Sequence, residues 1–182
     1  MTTISKIVFY IIALTLFGCK TAMPYNQSVE TMPYNQPVES TNYLGNDGIK
    51  YTKLIVVYGS SDSDILRGRY EQLFANKLNN KKTLAVSALD AGISPVNKES
   101  AIKMKKSLIE MGFEGILLIE AENLTGDWIY QIMLLDLKKG LVWKGTTKIV
   151  MNDVDFNFDN AMQIVSDNVI NKMEEDGLFE SI

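Results

Sequence analysis

The sequence predicts an α/β (α+β) fold in which helices pack on a single mixed β-sheet. Short apolar runs rich in β-branched residues suit buried strands, and amphipathic segments of helical period stand between the first of these runs. Two later apolar runs are joined by a short turn that contains glycine. Helices that alternate with strands early, followed by a late hairpin, predict the element order β-α-β-α-β-β-β-α.

The first strand and the first helix are predicted from residues 53–59 and the segment after them. "KLIVVYG" is a β-branched run closed by glycine, and "SSDSD" supplies residues that cap helices. The helix that follows carries one apolar face, which we expect to pack on the sheet. The residues of that face are Leu66, Tyr70, Leu73, Phe74 and Leu78.

The second strand is predicted at residues 82–89, "KTLAVSAL", and the second helix at about 98–111. This helix is expected to bury Ile102, Leu108 and Ile109 and to end at Gly112. "GILLIEAE", residues 115–122, is apolar on both faces in its first half, which predicts a central strand.

A hairpin and a final helix complete the predicted domain. "DWIYQIMLLDL" and "LVWKGTTKIV" flank "KKG", residues 138–140, where glycine suits the position that needs a positive φ. The last helix is predicted at about 157–176 because apolar residues recur on one stripe. That stripe consists of Ala161, Val165, Val169 and Met173.

Residues 1–18 are predicted to be a signal peptide. An apolar run at residues 7–17 follows a lysine near the start, and its 11 residues are too few to span a bilayer as a helix. The tetrapeptide Leu16-Phe17-Gly18-Cys19 resembles the lipobox of bacterial lipoproteins. The resemblance implies that a diacylglycerol is attached to the Cys19 sulfur, that the chain is cut before this residue, and that the new amino terminus is acylated.

Cys19 is the one cysteine in the chain, so no disulfide can form within it. Two or three acyl chains at this position would hold the protein on the membrane, because one chain alone anchors weakly. The alternative is a signal peptide that happens to contain a cysteine, and Phe17 is bulkier than the usual lipobox residue. Lys20 follows, and by the sorting rule of enterobacterial lipoproteins a residue other than aspartate implies the outer membrane.

Residues 19–50 are predicted to be a disordered tether between the lipidated cysteine and the domain. The segment is rich in Asn, Gln, Pro, Ser and Thr, and "MPYNQSVE" at residue 23 recurs as "MPYNQPVE" at residue 32. A recent duplication of spacer sequence explains the repeat. A recognition motif present twice, centred on Tyr25 and Tyr34, is the alternative.

Residues 51–182 are predicted to form a single globular domain, near the commonest domain size. The chain has 18 Lys and Arg against 22 Asp and Glu, a net charge of −4. Nothing in this balance predicts binding to nucleic acid. Because the chain has no histidine, histidine-dependent nucleophiles and histidine-ligated zinc are excluded, and lipidation of Cys19 would remove thiol chemistry. No cofactor is predicted.

Three sets of residues are candidate sites. Ser60, Ser61 and Asp62 lie at a helix start that could hold an anion, although the aspartate would repel one and helix capping explains them as well. The carboxylates of Glu120, Glu122 and Asp127 could bind a metal or small ligand at a strand end, but exposed glutamates there are usually only solvated. On the hairpin, core or cross-strand packing is the alternative to an exposed interface. The hairpin set consists of Trp128, Tyr130 and Trp143.

The folded part resembles the small α/β domain of several bacterial envelope proteins, among them the amino-terminal domain of TolB and the curli secretion lipoprotein CsgG. The resemblance rests on "YEQLFANKL", "GFEGILLIE" and "LLDLKKGLVWKG" in this order, with Asp136, Trp143 and Gly145 at recurring positions. It implies the fold and a tendency to bind other proteins or to self-assemble. It implies no catalytic site, because the family has no common one.

Two functional hypotheses follow. The first is a membrane-anchored, non-enzymatic envelope lipoprotein that serves as an adaptor or assembly component through protein–protein contacts. Its partners would be the membrane, through the lipid on Cys19, and envelope proteins or further copies of itself. The second is a small-ligand- or metal-binding protein, or a hydrolase, that uses the carboxylates at the strand ends.

Overall fold

The computed structural model describes residues 37–43, 50–59, 64–93, 104–124, 127–149 and 157–179. All of them belong to one compact unit, Pro33–Ile182. Its single six-stranded sheet has the order β1-β6-β5-β4-β2-β3. The strands are β1 (Glu39–Asn42), β2 (Lys53–Gly59), β3 (Leu84–Ser87), β4 (Gly115–Leu124), β5 (Asp127–Asp136) and β6 (Gly140–Ile149). The helices are α1 (Asp64–Asn79), α2 (Lys105–Glu110) and α3 (Phe158–Glu175).

The sheet is mixed, and this confirms the predicted fold class. β2 pairs in parallel with β3 and β4, whereas the remaining neighbours are antiparallel. The predicted order of elements matches from β2 to α3. β1 was not predicted, because it lies within the segment assigned to the tether. Residues 19–36 and 44–49 of that segment, Cys19 among them, and the signal peptide lie outside the described residues.

Each face of the sheet carries its own hydrophobic core. β2 is buried on both faces, as its unbroken apolar sequence requires. On one face α1 and α3 cover the larger core, which includes Leu54, Leu117 and Ile132. On the other face α2 and neighbouring loops cover a smaller core around Ile55 and Leu118. Burying one such aliphatic side chain is worth about 1.5–3 kcal/mol.

The apolar faces of the helices are largely as predicted. Ala161, Val165, Val169 and Met173 of α3 are all buried, as are Tyr70, Phe74 and Leu78 of α1. Leu73 is half-buried, and Leu66 at the start of α1 is 37% exposed.

The prediction for α2 was wrong at Ile109. Leu108 is buried against the sheet, whereas Ile109 is 41% exposed. Successive residues of a helix are turned by about 100°, so a helix of six residues presents one narrow stripe to the sheet and leaves the next position outside. Ile102, which was also expected to be buried, lies outside the described residues.

α3 ends in a turn that returns the chain to the core. Gly177 adopts a φ of +81°, and its N–H donates to the Glu174 carbonyl at 2.9 Å. The Leu178 N–H donates to the Met173 carbonyl at 3.0 Å, which completes a Schellman motif. Leu178 and Phe179 are then buried in the larger core. This turn holds Asp176, the C-cap residue of α3, beside the β1–β6 edge of the sheet.

The two edges of the sheet are built differently. At the β3 edge, the side-chain amide of Asn79 accepts from the Ala85 N–H at 2.8 Å and donates to the Ala85 carbonyl at 3.1 Å. Leu84 bonds towards β2, so by alternation the backbone groups of Ala85 point outward. A side chain of the domain therefore occupies these outward groups. β1 forms the opposite edge, paired with β6.

Candidate functional site

Asp176 joins the edge strand β1 to the body of the domain. Its Oδ2 accepts from the Ser40 hydroxyl and from the Trp143 indole N–H, each at 2.7 Å, and its Oδ1 accepts from the Lys172 ammonium at 2.7 Å. The Asp176 carbonyl also accepts from the Asn42 side-chain amide at 3.0 Å. Four side chains from β1, β6 and α3 thus meet at one residue, and we name this set the Asp176 junction.

The donors of the junction determine the ionisation of its carboxyl group. Burial opposes the charged form, but hydrogen bonds from Lys172, Trp143 and Ser40 outweigh it and lower the pKa of Asp176 below its ordinary value. The same contact raises the pKa of Lys172, since the ammonium is stabilised beside the carboxylate. The ionised carboxylate therefore links β1 and β6 to the end of α3.

Glu71 is a second carboxylate with a structural task. Its side chain on α1 is 1% exposed and reaches the ends of β2 and β3. Oε1 accepts from the Tyr58 N–H and Oε2 from the Leu89 N–H, each at 3.0 Å. Burial raises the pKa of the Glu71 carboxyl, and the backbone donors and the positive charge of Arg67 only partly offset that effect. Glu71 thus binds the helix to β2 and to the turn that follows β3.

A cleft of about 360 Å³ opens beside Tyr51, Phe113 and Asp136. The Tyr51 hydroxyl donates to Asp136 Oδ2 at 3.0 Å, and burial followed by this bond raises the pKa of Tyr51. Asp136 Oδ1 also accepts from the N–H groups of Lys138 and Lys139, at 2.6 and 2.7 Å, in the hairpin turn. Burial alone would raise the pKa of Asp136. The hydrogen bonds outweigh that effect and lower this pKa below its ordinary value. Asp136, with the Tyr51 hydroxyl bonded to it, therefore holds the turn in place.

The three carboxylates predicted as ligands lie towards the end of β4 and at the start of β5. Glu120 is half-buried and Glu122 is exposed, on the sheet face opposite α1 and α3. Asp127 forms an ion pair with Lys148 of β6 at 2.5 Å. Within the described ranges, no group of three or more His, Cys, Asp or Glu side chains is placed to hold a metal ion. The candidate anion site of Ser60, Ser61 and Asp62 lies outside those ranges.

The hairpin aromatics lie in or against the larger core. Tyr130 and Trp143 are both 0% exposed, and Trp128 is partly buried against the same cluster. A Cβ at Gly145 would meet the Trp143 ring, so glycine leaves the space in which the indole lies. These side chains are therefore packed in or against the core.

The sequence of the chain matches no protein-family model and no curated protein. Among the solved structures that are similar to its fold are the following three. PelC from Paraburkholderia phytofirmans, a dodecamer, has 12% identity and a TM-score of 0.49 over 74% of this chain and 96% of that chain. The lipoprotein GNA1162 from Neisseria meningitidis has 20% identity and a TM-score of 0.48 over 68% and 96%. TolB from Acinetobacter baumannii has 13% identity and a TM-score of 0.42 over 78% and 32%.

These likenesses lie below 0.5 in TM-score, so neither an activity nor an assembly is transferred from them. Among the helices described, none is long and apolar enough to cross a membrane.

The sequence did not identify Glu71 or Asp176 as key residues. Glu71 binds main-chain N–H groups, which every residue type offers, so the pattern of side chains carries no signal for it. Asp176 and Trp143 are 33 residues apart in the chain. A usable signal did exist at Asp176, because an aspartate directly before the glycine that ends a predicted helix lies at a position where the chain turns back.

Proposed function

We propose that the chain is a lipid-anchored protein of the bacterial cell envelope whose domain acts through protein–protein contacts, as an adaptor or assembly component, without catalysis. The lipobox-like sequence at Leu16-Phe17-Gly18-Cys19 supports the anchor, and Lys20 supports the outer membrane as its location. The partners would be envelope proteins or further copies of the chain.

The observation that carries this proposal is that the carboxylates with shifted pKa values are hydrogen-bonded within the domain. Catalytic acids and bases have shifted pKa values because their environment suits a reaction. Here Glu71, Asp136 and Asp176 each accept hydrogen bonds from backbone or side-chain donors of their own domain. Their environments serve the fold, which is what a domain built to present a surface requires.

The position of β1 supports the adaptor role. The predicted tether leads directly into an edge strand that is hydrogen-bonded along β6 and held at the Asp176 junction. A pull on the tether would therefore be carried by a strand of the sheet.

The anchor is tested by metabolic labelling with palmitate. The wild type is expected to incorporate the label, and Cys19→Ser is expected to incorporate none, because the thiol is the acceptor of the first lipid. The two proteins should be compared after fractionation of the membranes and at equal expression. Equal labelling of both would rule out lipidation at Cys19.

The adaptor role is tested by cross-linking the full-length protein in cells and identifying the linked proteins by mass spectrometry. A reproducible envelope protein, or links between copies, is the expected result. Cys19→Ser is the matched control, because its domain is unchanged and its anchor is removed. If the anchored protein is abundant and no protein is linked to it, the adaptor role is contradicted whatever the outcome of the labelling.

A further inference from the structure

The edge strand β1 is held by a small set of contacts. Val38 packs against the larger core, the Ser40 hydroxyl donates to Asp176 Oδ2, and the Tyr43 N–H donates to the Val142 carbonyl at 2.8 Å. In sequence this is a valine, a hydroxyl residue two positions later, and a tyrosine three positions after that.

The same pattern occurs nine residues upstream. Residues 23–34, "MPYNQSVETMPY", and residues 32–43, "MPYNQPVESTNY", are identical at eight of twelve positions. Val29, Thr31 and Tyr34 correspond to Val38, Ser40 and Tyr43. We name the place beside β6 and Asp176 that residues 38–43 occupy the edge-strand site. The repeat in the tether is therefore a repeat of the residues that occupy this site.

The upstream residues suit the site. Threonine keeps the hydroxyl that donates to Asp176, and methionine would take the exposed place of Thr41. Pro33 would replace Asn42. Because the Tyr43 N–H bonds to β6, alternation along the antiparallel ladder directs the N–H of position 42 away from β6. Proline is tolerated at such an edge position. The exchange loses the bond from the Asn42 amide to the Asp176 carbonyl.

We propose that residues 29–34 are a second occupant of the edge-strand site and compete with residues 38–43 of the same chain. The domain then sits on its tether in two registers that differ by nine residues. The loss of the bond from Asn42 and a longer connection to β2 disfavour the upstream register by about tenfold. If Cys19 is the anchor, which rests on the proposed function, the free tether is nine residues shorter in the upstream register. Its extended length then differs by about 30 Å between the two registers.

Engineered disulfides in the full-length chain test the two registers. Lys144 of β6 faces Thr41 across the ladder, within the Cα separation that a disulfide can bridge. Lys144→Cys is combined in turn with Thr41→Cys, with Met32→Cys, and with Gln36→Cys as the matched control outside both registers. After mild oxidation, each linkage is mapped by mass spectrometry, which distinguishes it from any disulfide of Cys19.

The Thr41 pair is expected to form completely and the Met32 pair to a smaller extent, but more than the Gln36 pair. A tether that collides at random would give a Met32 linkage that does not depend on the side chain at position 31. Adding Ser40→Ala and Asn42→Ala should increase the Met32 linkage several-fold, and adding Thr31→Ala should reduce it.

Three results would overturn the proposal. The first is a Gln36 linkage equal to or above that of Met32, and the second is a Met32 linkage that ignores the changes at Ser40 and Asn42. The third is a Met32 linkage found only between two copies, which would indicate exchange of strands between molecules. None of these results depends on whether Cys19 is lipidated.

Discussion

Asp176→Ala is expected to lower the free energy of unfolding by about 2–4 kcal/mol. The substitution removes the acceptor of three hydrogen bonds at 2.7 Å and leaves the N–H of the buried Trp143 indole without its partner. Bonds to charged groups contribute about 1.5–3 kcal/mol each, and an unsatisfied buried donor costs a further amount. Chemical denaturation of the wild type and the variant at pH 7 measures the difference.

The matched control is Asp167→Ala, on the same helix. Asp167 forms an ion pair with Lys77, but its side chain is 59% exposed, so its removal should cost less than about 1 kcal/mol. Equal losses for the two variants would mean that the Asp176 junction contributes no more than a surface ion pair.

The contribution of Asp176 depends on pH in a defined direction. Its pKa is lower in the folded state than the ordinary value of 3.8, so the stabilisation is complete well above pH 3.8. It is lost as the pH falls through the lower folded value. The difference in stability between the wild type and Asp176→Asn should therefore shrink in acid, and a difference that grew in acid would contradict the assignment.

Glu71→Ala is expected to lower the free energy of unfolding by about 3 kcal/mol or more. The variant leaves the N–H groups of Tyr58 and Leu89 without their acceptor at the ends of β2 and β3, and it opens a space under α1. Thermal and urea unfolding measure the loss. Gln72→Ala is the control, because this neighbour on α1 is exposed and bonds weakly to Asp90 at 3.3 Å.

Glu71 should show the opposite pH dependence to Asp176. The pKa of Glu71 is raised above 4.5 on folding. At a pH between the unfolded and the folded value, the folded state therefore keeps a proton that the unfolded state has released. Stability from this group is present below pH 4.5 and falls as the pH rises through the folded value. The stability of the wild type relative to Glu71→Gln should be greater at pH 4 than at pH 8. An unchanged difference would show that the carboxyl titrates alike in both states.

The sequence predicted those parts of the fold that are driven by apolar patterns. β2, β4, the β5–β6 hairpin and α3 bury the residues that their periodicity assigned to the core, because burial of apolar area dominates folding. β1 has no such pattern: "ESTN" is polar, and it becomes a strand by pairing with β6 and bonding to Asp176. Tertiary partners that lie more than 100 positions away decide the structure of this segment.

The contacts of the carboxylates could not be predicted for the same reason. Glu120, Glu122 and Asp127 were conspicuous as a cluster of like residues at a strand end, and the structure gives Asp127 a lysine partner. Glu71 stood out in no motif, yet it holds β2 and the turn that follows β3 through backbone donors. Residue types and spacing indicate side chains that could act together, but not a side chain whose partner is the main chain.

The bonds from the Asn79 amide to the β3 edge affect how copies of the domain could associate through their sheet edges. Proteins held on one membrane meet at high local concentration and in similar orientations, and an exposed sheet edge is then a template for runaway stacking into fibres. Growth of that kind needs two adhesive edges on every molecule. With the outward groups of Ala85 already bonded to Asn79, a copy that docked at β1 would offer the next copy a blunted end. The Asn79 amide thus limits any stacking of copies through the β3 edge, whatever meets the β1 edge.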